Sequence, residues 1–196
     1  MKAAILYSGG KDSSLMAVIL DRLGYDVELV TINFGKYDST IPARTSAKNL
    51  GFKHKVIKLD QQILEDAVEM IIKDNFPNNG INYIHHTVLE ILSDEYKVIA
   101  DGTRREDRIP KLKFNEIQSL EDRKNIQYLN LTGIGYKTIN DTSDQLFEIQ
   151  KAESDINNSS DYEMEIRVML EELGYDTNEI FPQHIQSRVI GWKKNE

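Results

Sequence analysis

The chain contains no cysteine, only 4 prolines, one tryptophan, and fewer basic residues (24) than acidic ones (32). Without cysteine there are no disulfides, thiolate zinc sites, cysteine-held iron–sulfur clusters or cysteine nucleophiles. No run of 18 apolar residues occurs, which excludes an apolar spanning helix. The formal charge of −8 gives no support to non-specific nucleic-acid binding, although a local basic patch is compatible with it. Met1 leads at once into a short apolar run and then glycines, so no signal peptide is expected and a cytoplasmic location is. Present instead are 196 residues, 40% of them hydrophobic, enough for one domain with a real core.

Apolar runs alternate with helical patterns. Lys2–Tyr7 reads as a buried strand ending at Ser8-Gly9-Gly10. Asp12–Leu23 reads as a helix closed by Gly24. Strands are predicted at Val27–Phe34, Lys55–Leu59, Lys97–Ala100 and Gln127–Leu131. Helices are predicted at Ile41–Leu50, Gln61–Lys73, Phe114–Arg123 and along the stripe Ile81, Ile84, Val88, Ile91, Leu92. This alternation predicts a doubly wound, Rossmann-like α/β fold: a parallel five-stranded sheet with helices on both faces. A ligand site then belongs at the carboxyl ends of the strands, where the strand order reverses. Beyond residue 138 the composition turns to Asn, Asp and Ser, so the chain divides into a core at 1–138 and a short helical appendage at 139–196 packing on it. Within the appendage, helices are expected near Asp144–Ala152 and at Tyr162–Leu173, and a strand-like stretch at Phe181–Trp192.

The chemistry is concentrated in Ser8-Gly9-Gly10-Lys11-Asp12-Ser13-Ser14, between the first strand and the first helix. Glycines let the backbone approach an anion, and the helix that follows offers unpaired N–H groups and a positive dipole end. Lys11 and three hydroxyls add donors. Asp12 is a poor partner for bare phosphate, which points to Mg²⁺ bridging it to phosphates. Walker A fails, because Ile5 stands where its first glycine belongs and Asp12 follows Lys11. The dinucleotide fingerprint also fails, and Gly133-Ile134-Gly135 reads as a turn because Thr138 stands at its third glycine position.

The run SGGKDSS resembles the PP-loop of the ATP pyrophosphatases, the adenine nucleotide alpha hydrolase-like group, and the chain looks most like the small archaeal-type members. The resemblance covers roughly residues 1–135. It implies a loop gripping the β- and γ-phosphates of ATP, cleavage between the α and β phosphates, an AMP-activated substrate and released pyrophosphate. ATP and Mg²⁺ are thus the expected cofactors, with Asp12 and Lys11 in catalysis. A second nucleotide contact is implied at Asp101-Gly102-Thr103 after the fourth strand, and an adenine contact at Thr31-Ile32-Asn33 in the second. Asp101 or Asp107 would join Asp12 at the metal, and Arg104, Arg105 or Arg108 would neutralise charge in transfer, with Arg105 taken as catalytic.

Thiolating and deazaguanine-forming members of the group need cysteines, so the resemblance narrows to amide or amidine formation with nitrogen from free ammonia or a partner protein. The acceptor substrate is unidentified; RNA is not favoured, though Arg104–Arg108 and Lys111–Lys113 are basic. The alternative class is a universal-stress-type module that holds ATP without turnover. A subunit needing a partner is a third reading, and self-pairing of the C-terminal helix would make a homo-oligomer. His85 and His86 point about 100° apart on a helix and rarely share one metal, so packing or surface roles are expected of them. His54 is expected at a strand edge. His184, Gln186, Ser187 and Arg188 either reach the site or lie on a strand that covers apolar surface with Ile185, Val189 and Trp192.

Overall fold

A computed structural model describes residues 1–153, 159–181 and 185–194. The apolar run at the N-terminus becomes β1 (Lys2–Leu6), and α1 (Lys11–Arg22) follows the glycine loop. Then come β2 (Asp26–Asn33), α2 (Ile41–Leu50), β3 (Lys53–Lys58), α3 (Gln61–Asp74), α4 (Asn78–Leu92) and β4 (Val98–Ala100). The core ends with α5 (Phe114–Lys124) and β5 (Gln127–Leu129). The five strands are parallel in the order β3-β2-β1-β4-β5. The expected α/β fold is present, and the strand order reverses between β1 and β4.

Alternation along β1 explains why both faces are covered. Ala4 and Leu6 join one apolar cluster, with residues of α3 and α4 such as Leu64, Ile71, Ile84 and Val88. Ala3, Ile5 and Tyr7 join the other, with residues of α1 and α2 such as Leu15, Leu20, Ala43 and Ala47. The two helices α3 and α4 approach closely at Gly80, where a Cβ would meet the Ala67 carbonyl at 2.5 Å. Asp60 caps α3 by accepting the Gln62 N–H, and left-handed Asn75 ends it.

The C-terminal part departs from the expected pattern. Its helices are α6 (Tyr136–Leu146), α7 (Tyr162–Glu172) and the short α8 (Thr177–Ile180). The helix expected over Asp144–Ala152 is absent: α6 ends at Leu146 and the chain continues as β6 (Phe147–Glu153). The reason is packing. Phe147 and Ile149 lie on the face that joins the second cluster, and β6 pairs antiparallel with β7 (Ile185–Trp192). The strand-like reading of Phe181–Trp192 therefore holds over Ile185–Trp192, while Phe181 is the C-cap of α8. Residues past 138 contribute to both core clusters, Ile166 and Leu170 to the first and Phe147 and Val189 to the second. No helix among the described residues is long and apolar enough to cross a membrane.

Candidate functional site

A pocket of about 390 Å³ opens at the carboxyl ends of β1, β2 and β4, where the strand order reverses. Its floor is apolar, formed by Leu6, Val30 and Ile32. One wall is the glycine loop. Gly9 has φ 82°, and a Cβ there would meet Ala43 Cα at 3.2 Å, so the loop needs glycine both for its turn and for its seat on α2. Gly10 is the N-cap of α1, with no side-chain cap bond. The first-turn N–H groups of α1 are therefore left without a side-chain cap at this wall, an arrangement chemically suited to an anion. The Lys11 Nζ lies 2.5 Å from Asp12 Oδ1, and Arg104 Nε lies 3.6 Å from Asp12 Oδ2.

The second wall follows β4. Gly102 abuts the first turn of α1: a Cβ would stand 2.5 Å from Ser13 N and 2.8 Å from Asp12 C. The two loops are thus locked backbone to backbone. Asp101, 5% exposed, accepts the Thr103 N–H at 2.8 Å and the Tyr128 hydroxyl at 2.5 Å. Burial alone would raise its carboxyl, but the His85 ring, Tyr128 and the Thr103 N–H outweigh that and hold it below the usual range. In return Asp101 and burial push the Tyr128 hydroxyl well up.

Of the residues expected at the site, Ser8, Gly10, Lys11, Asp12 and Ser13 line the pocket together with Asp101, Gly102, Thr103, Arg104 and Asp107. Ser14 does not: fully buried, its hydroxyl bonds the Gly10 carbonyl at 2.9 Å and lies 3.0 Å from the Tyr7 hydroxyl. Of the three residues expected at adenine, only Ile32 lines the pocket. Thr31 donates to the Tyr7 carbonyl and meets His54, which sits on the edge strand β3; Asn33 bonds within its own turn, to Tyr37 O and from Gly35 N. Arg104 faces the pocket and is held by Asp107, whose hydrogen bond raises its pKa. Arg105 points outward, with a 63% exposed side chain paired to Glu106, and Arg108 is exposed. The arginine available to a ligand is therefore the neighbour of the one expected, because Asp107 draws residue 104 inward.

The fit of a magnesium ion falls on Asp12. Its carboxylate faces the pocket beside the loop, and a cation would take it in exchange for the Lys11 and Arg104 contacts, both of them side chains that line the pocket; both Asp101 oxygens accept from the Thr103 N–H and the buried Tyr128 hydroxyl. Among the described residues no group of three or more carboxylates and histidines is placed to hold a metal by itself.

The third wall was not legible as such. His85 on α4 is 2% exposed and lines the pocket, its Nε2 3.1 Å from Asp101 Oδ2; His86, the next residue, faces away. The signal was its place on the apolar stripe of α4, one turn after Ile81 and before Val88, where a buried polar residue is the informative one. Ser160, Asp161 and Tyr162, at the start of α7, complete that wall, and burial pushes the Tyr162 hydroxyl up. The fourth wall is β7, with Gln186, Ser187 and Arg188; His184 lies outside the described residues. Val189 N donates to the Gly9 carbonyl at 2.9 Å, so β7 grips the glycine loop.

Comparison with known proteins places the chain in a family. Residues 1–191 match the family of unknown function DUF7411, and the chain belongs to it. It is 55% identical over 195 residues to the Methanocaldococcus jannaschii protein MJ0690, covering 99% of this chain and 98% of that protein. Over 76 residues it is 33% identical to an argininosuccinate synthase of Hyperthermus butylicus, covering 38% of this chain and 19% of that enzyme. A crystal structure from Methanocaldococcus jannaschii, described as a predicted subunit of tRNA methyltransferase, matches with a TM-score of 0.92 and 54% identity over 100% of both chains.

Proposed function

We propose that the chain binds Mg-ATP in this pocket, cleaves it between the α and β phosphates, transfers AMP to an acceptor and releases pyrophosphate, in the service of amide or amidine formation. One observation carries the reading: the Ser8–Ser14 loop opens α1 at the end of β1 and, together with Asp101–Arg104 at the end of β4, faces a single pocket at the reversal of strand order. The partial match to an argininosuccinate synthase, an enzyme of the PP-loop superfamily, supports the same chemistry.

In this reading the first-turn N–H groups of α1, the Ser8 hydroxyl and Lys11 bind the β- and γ-phosphates, and the Ser13 hydroxyl joins them in exchange for its bond to the Gly10 carbonyl. An acceptor oxygen attacks the α-phosphorus, the bond from that phosphorus to the bridging oxygen breaks, and pyrophosphate departs with the electron pair. A nitrogen nucleophile then displaces AMP. Arg104 neutralises charge on the phosphates. When bound, Mg²⁺ supplies further charge neutralisation, with Asp12 holding it. Gly102 sets the distance between the two loops.

The structural relative's description names a subunit and a tRNA, and both extend the proposal. A tRNA is then the first acceptor to try, in spite of the net charge, and a partner protein the first source of nitrogen to seek. The test is a pyrophosphate-release assay with Mg-ATP, ammonium and bulk tRNA, with Asp12→Asn as control. Pyrophosphate and AMP are expected, and ADP with phosphate overturns the proposal. Tight ATP binding with no exchange of labelled pyrophosphate favours the module without turnover.

A further inference from the structure

The wall formed by α4 and the segment entering α7 holds two polar groups that the proposed phosphate chemistry leaves unused. His85 is 2% exposed, lines the pocket, and has neither ring nitrogen in a hydrogen bond among the described residues. Its Nε2 lies 3.1 Å from Asp101 Oδ2, in contact but not aligned for a bond. Asp161 also lines the pocket. Its Oδ2 accepts from Gln186 Nε2 and the Ser159 hydroxyl, both at 2.8 Å, while its Oδ1 is buried with no partner among the described residues. The residue occupies the N-cap of α7 without making the side-chain bond that an N-cap aspartate ordinarily makes. Its carboxylate is held from β7 instead and belongs to the pocket.

Buried polar groups without partners cost about 1–3 kcal/mol each, so two in one pocket wall mark groups that a ligand satisfies. Their chemistry has one sign. A carboxylate oxygen only accepts. A neutral imidazole that turns its Nε2–H toward the Asp101 carboxylate presents Nδ1 as an acceptor. Cations, by contrast, stand at the loops: Lys11 and Arg104 on α1 and after β4, and Arg188 on β7. The apolar floor of Leu6, Val30 and Ile32 lies under both.

We infer that Asp161 and His85 form an amine-recognising subsite, taking a group with N–H donors on a ligand whose anionic part sits at the glycine loop. The inference rests on the nucleotide reading of the pocket and adds to it. Two sources present this chemistry: the exocyclic amino group of the adenine itself, and the ammonia or primary amine that enters as nucleophile.

Calorimetry with a non-hydrolysable ATP analogue and its inosine counterpart, which has a carbonyl in place of the amine, distinguishes them when set beside pyrophosphate release titrated with ammonium chloride. Wild type, Asp161→Asn and His85→Phe are compared, and thermal melts confirm that each variant is folded. If the amine is adenine's, wild type prefers the adenine nucleotide by about tenfold or more, and both variants lose that preference. If it is the nucleophile's, both variants bind the two nucleotides as wild type does, and their half-saturating ammonium rises about tenfold with little change at saturation. Variants that match wild type in both measurements overturn the subsite and leave the ATP reading standing. A wild-type protein that binds neither nucleotide overturns both.

Discussion

Gly102 provides the sharpest test of how the site is built. Replacing it with alanine adds one methyl group, 2.5 Å from Ser13 N and 2.8 Å from Asp12 C. Both neighbours are backbone of the first turn of α1, so no side chain can rotate away. Restoring ordinary contact requires the β4 loop and the glycine loop to part by about 0.9 Å. Overpacking of this kind costs about 1–3 kcal/mol. For a chain of this length that lowers the melting temperature by about 2–4 °C per kcal/mol. The functional cost is larger, because a displacement near 1 Å between catalytic groups reduces rate by about 100-fold. Gly133→Ala is the matched control: no atom lies within 4 Å of its added methyl and its φ is not positive, so stability there is expected to hold or rise slightly. The assay pairs a thermal melt with pyrophosphate release under identical conditions. Gly102→Ala that melts and turns over like Gly133→Ala would show that the two loops are not locked as described.

Arg104→Ala is expected to lower pyrophosphate release about 100-fold while Arg105→Ala stays within about twofold, since only the first side chain faces the pocket; a larger loss at Arg105 would return the role to the exposed arginine. Glu165→Gln tests the buried carboxylate of α7, which accepts the backbone N–H groups of Phe34 and Lys36, each at 2.9 Å, and of Tyr37. Setting an amide NH₂ against these donors should cost about 1–3 kcal/mol, read as a lower melting temperature. Asp101 is held below its unfolded pKa, so its contribution is present above a pH of about 3.9 and is lost as the pH falls through its lower folded value. Tyr128→Phe removes one of its donors, so the gap in melting temperature between wild type and variant should be widest near neutrality and should narrow below about pH 4.

The parallel sheet was legible because its signals are local. Lys2–Tyr7 and Val27–Phe34 are continuous apolar runs, and Gly24 and Gly51 mark the chain just past two helices. The glycine-loop part of the candidate site was legible for the same reason: seven consecutive residues carry it, and five of them line the pocket. What escaped depends on neighbours distant in sequence. Residues 144–152 carry a mixed pattern, and pairing with a strand some forty residues later decides against the helix. Arg104 and Arg105 are indistinguishable as sequence, and their partners tell them apart: Asp107 and Asp12 for Arg104, the exposed Glu106 for Arg105. Nothing local singles out Asp161 until Gln186 is brought beside it.

The C-terminal strand ties the residues past 138 to the glycine loop. The Gly9 carbonyl lies at the turn of the glycine loop, and its hydrogen-bond donor is Val189. Nearby, Asn49 Nδ2 donates to the Ile190 carbonyl at 2.7 Å, and Trp192 Nε1 donates to the Leu50 carbonyl at 3.2 Å. β7 is therefore tied at one end to the loop and along its length to α2, the helix on which Gly9 is seated. A loop that must present N–H groups to an anion at fixed spacing gains most from such constraint, because glycines otherwise give it the greatest freedom to lose. The same strand places Gln186 against Asp161 and Arg188 beside Gly10. One β-strand thus orders the glycine-loop wall and one carboxylate of the proposed amine subsite together, and through it residues past 138 line the candidate site.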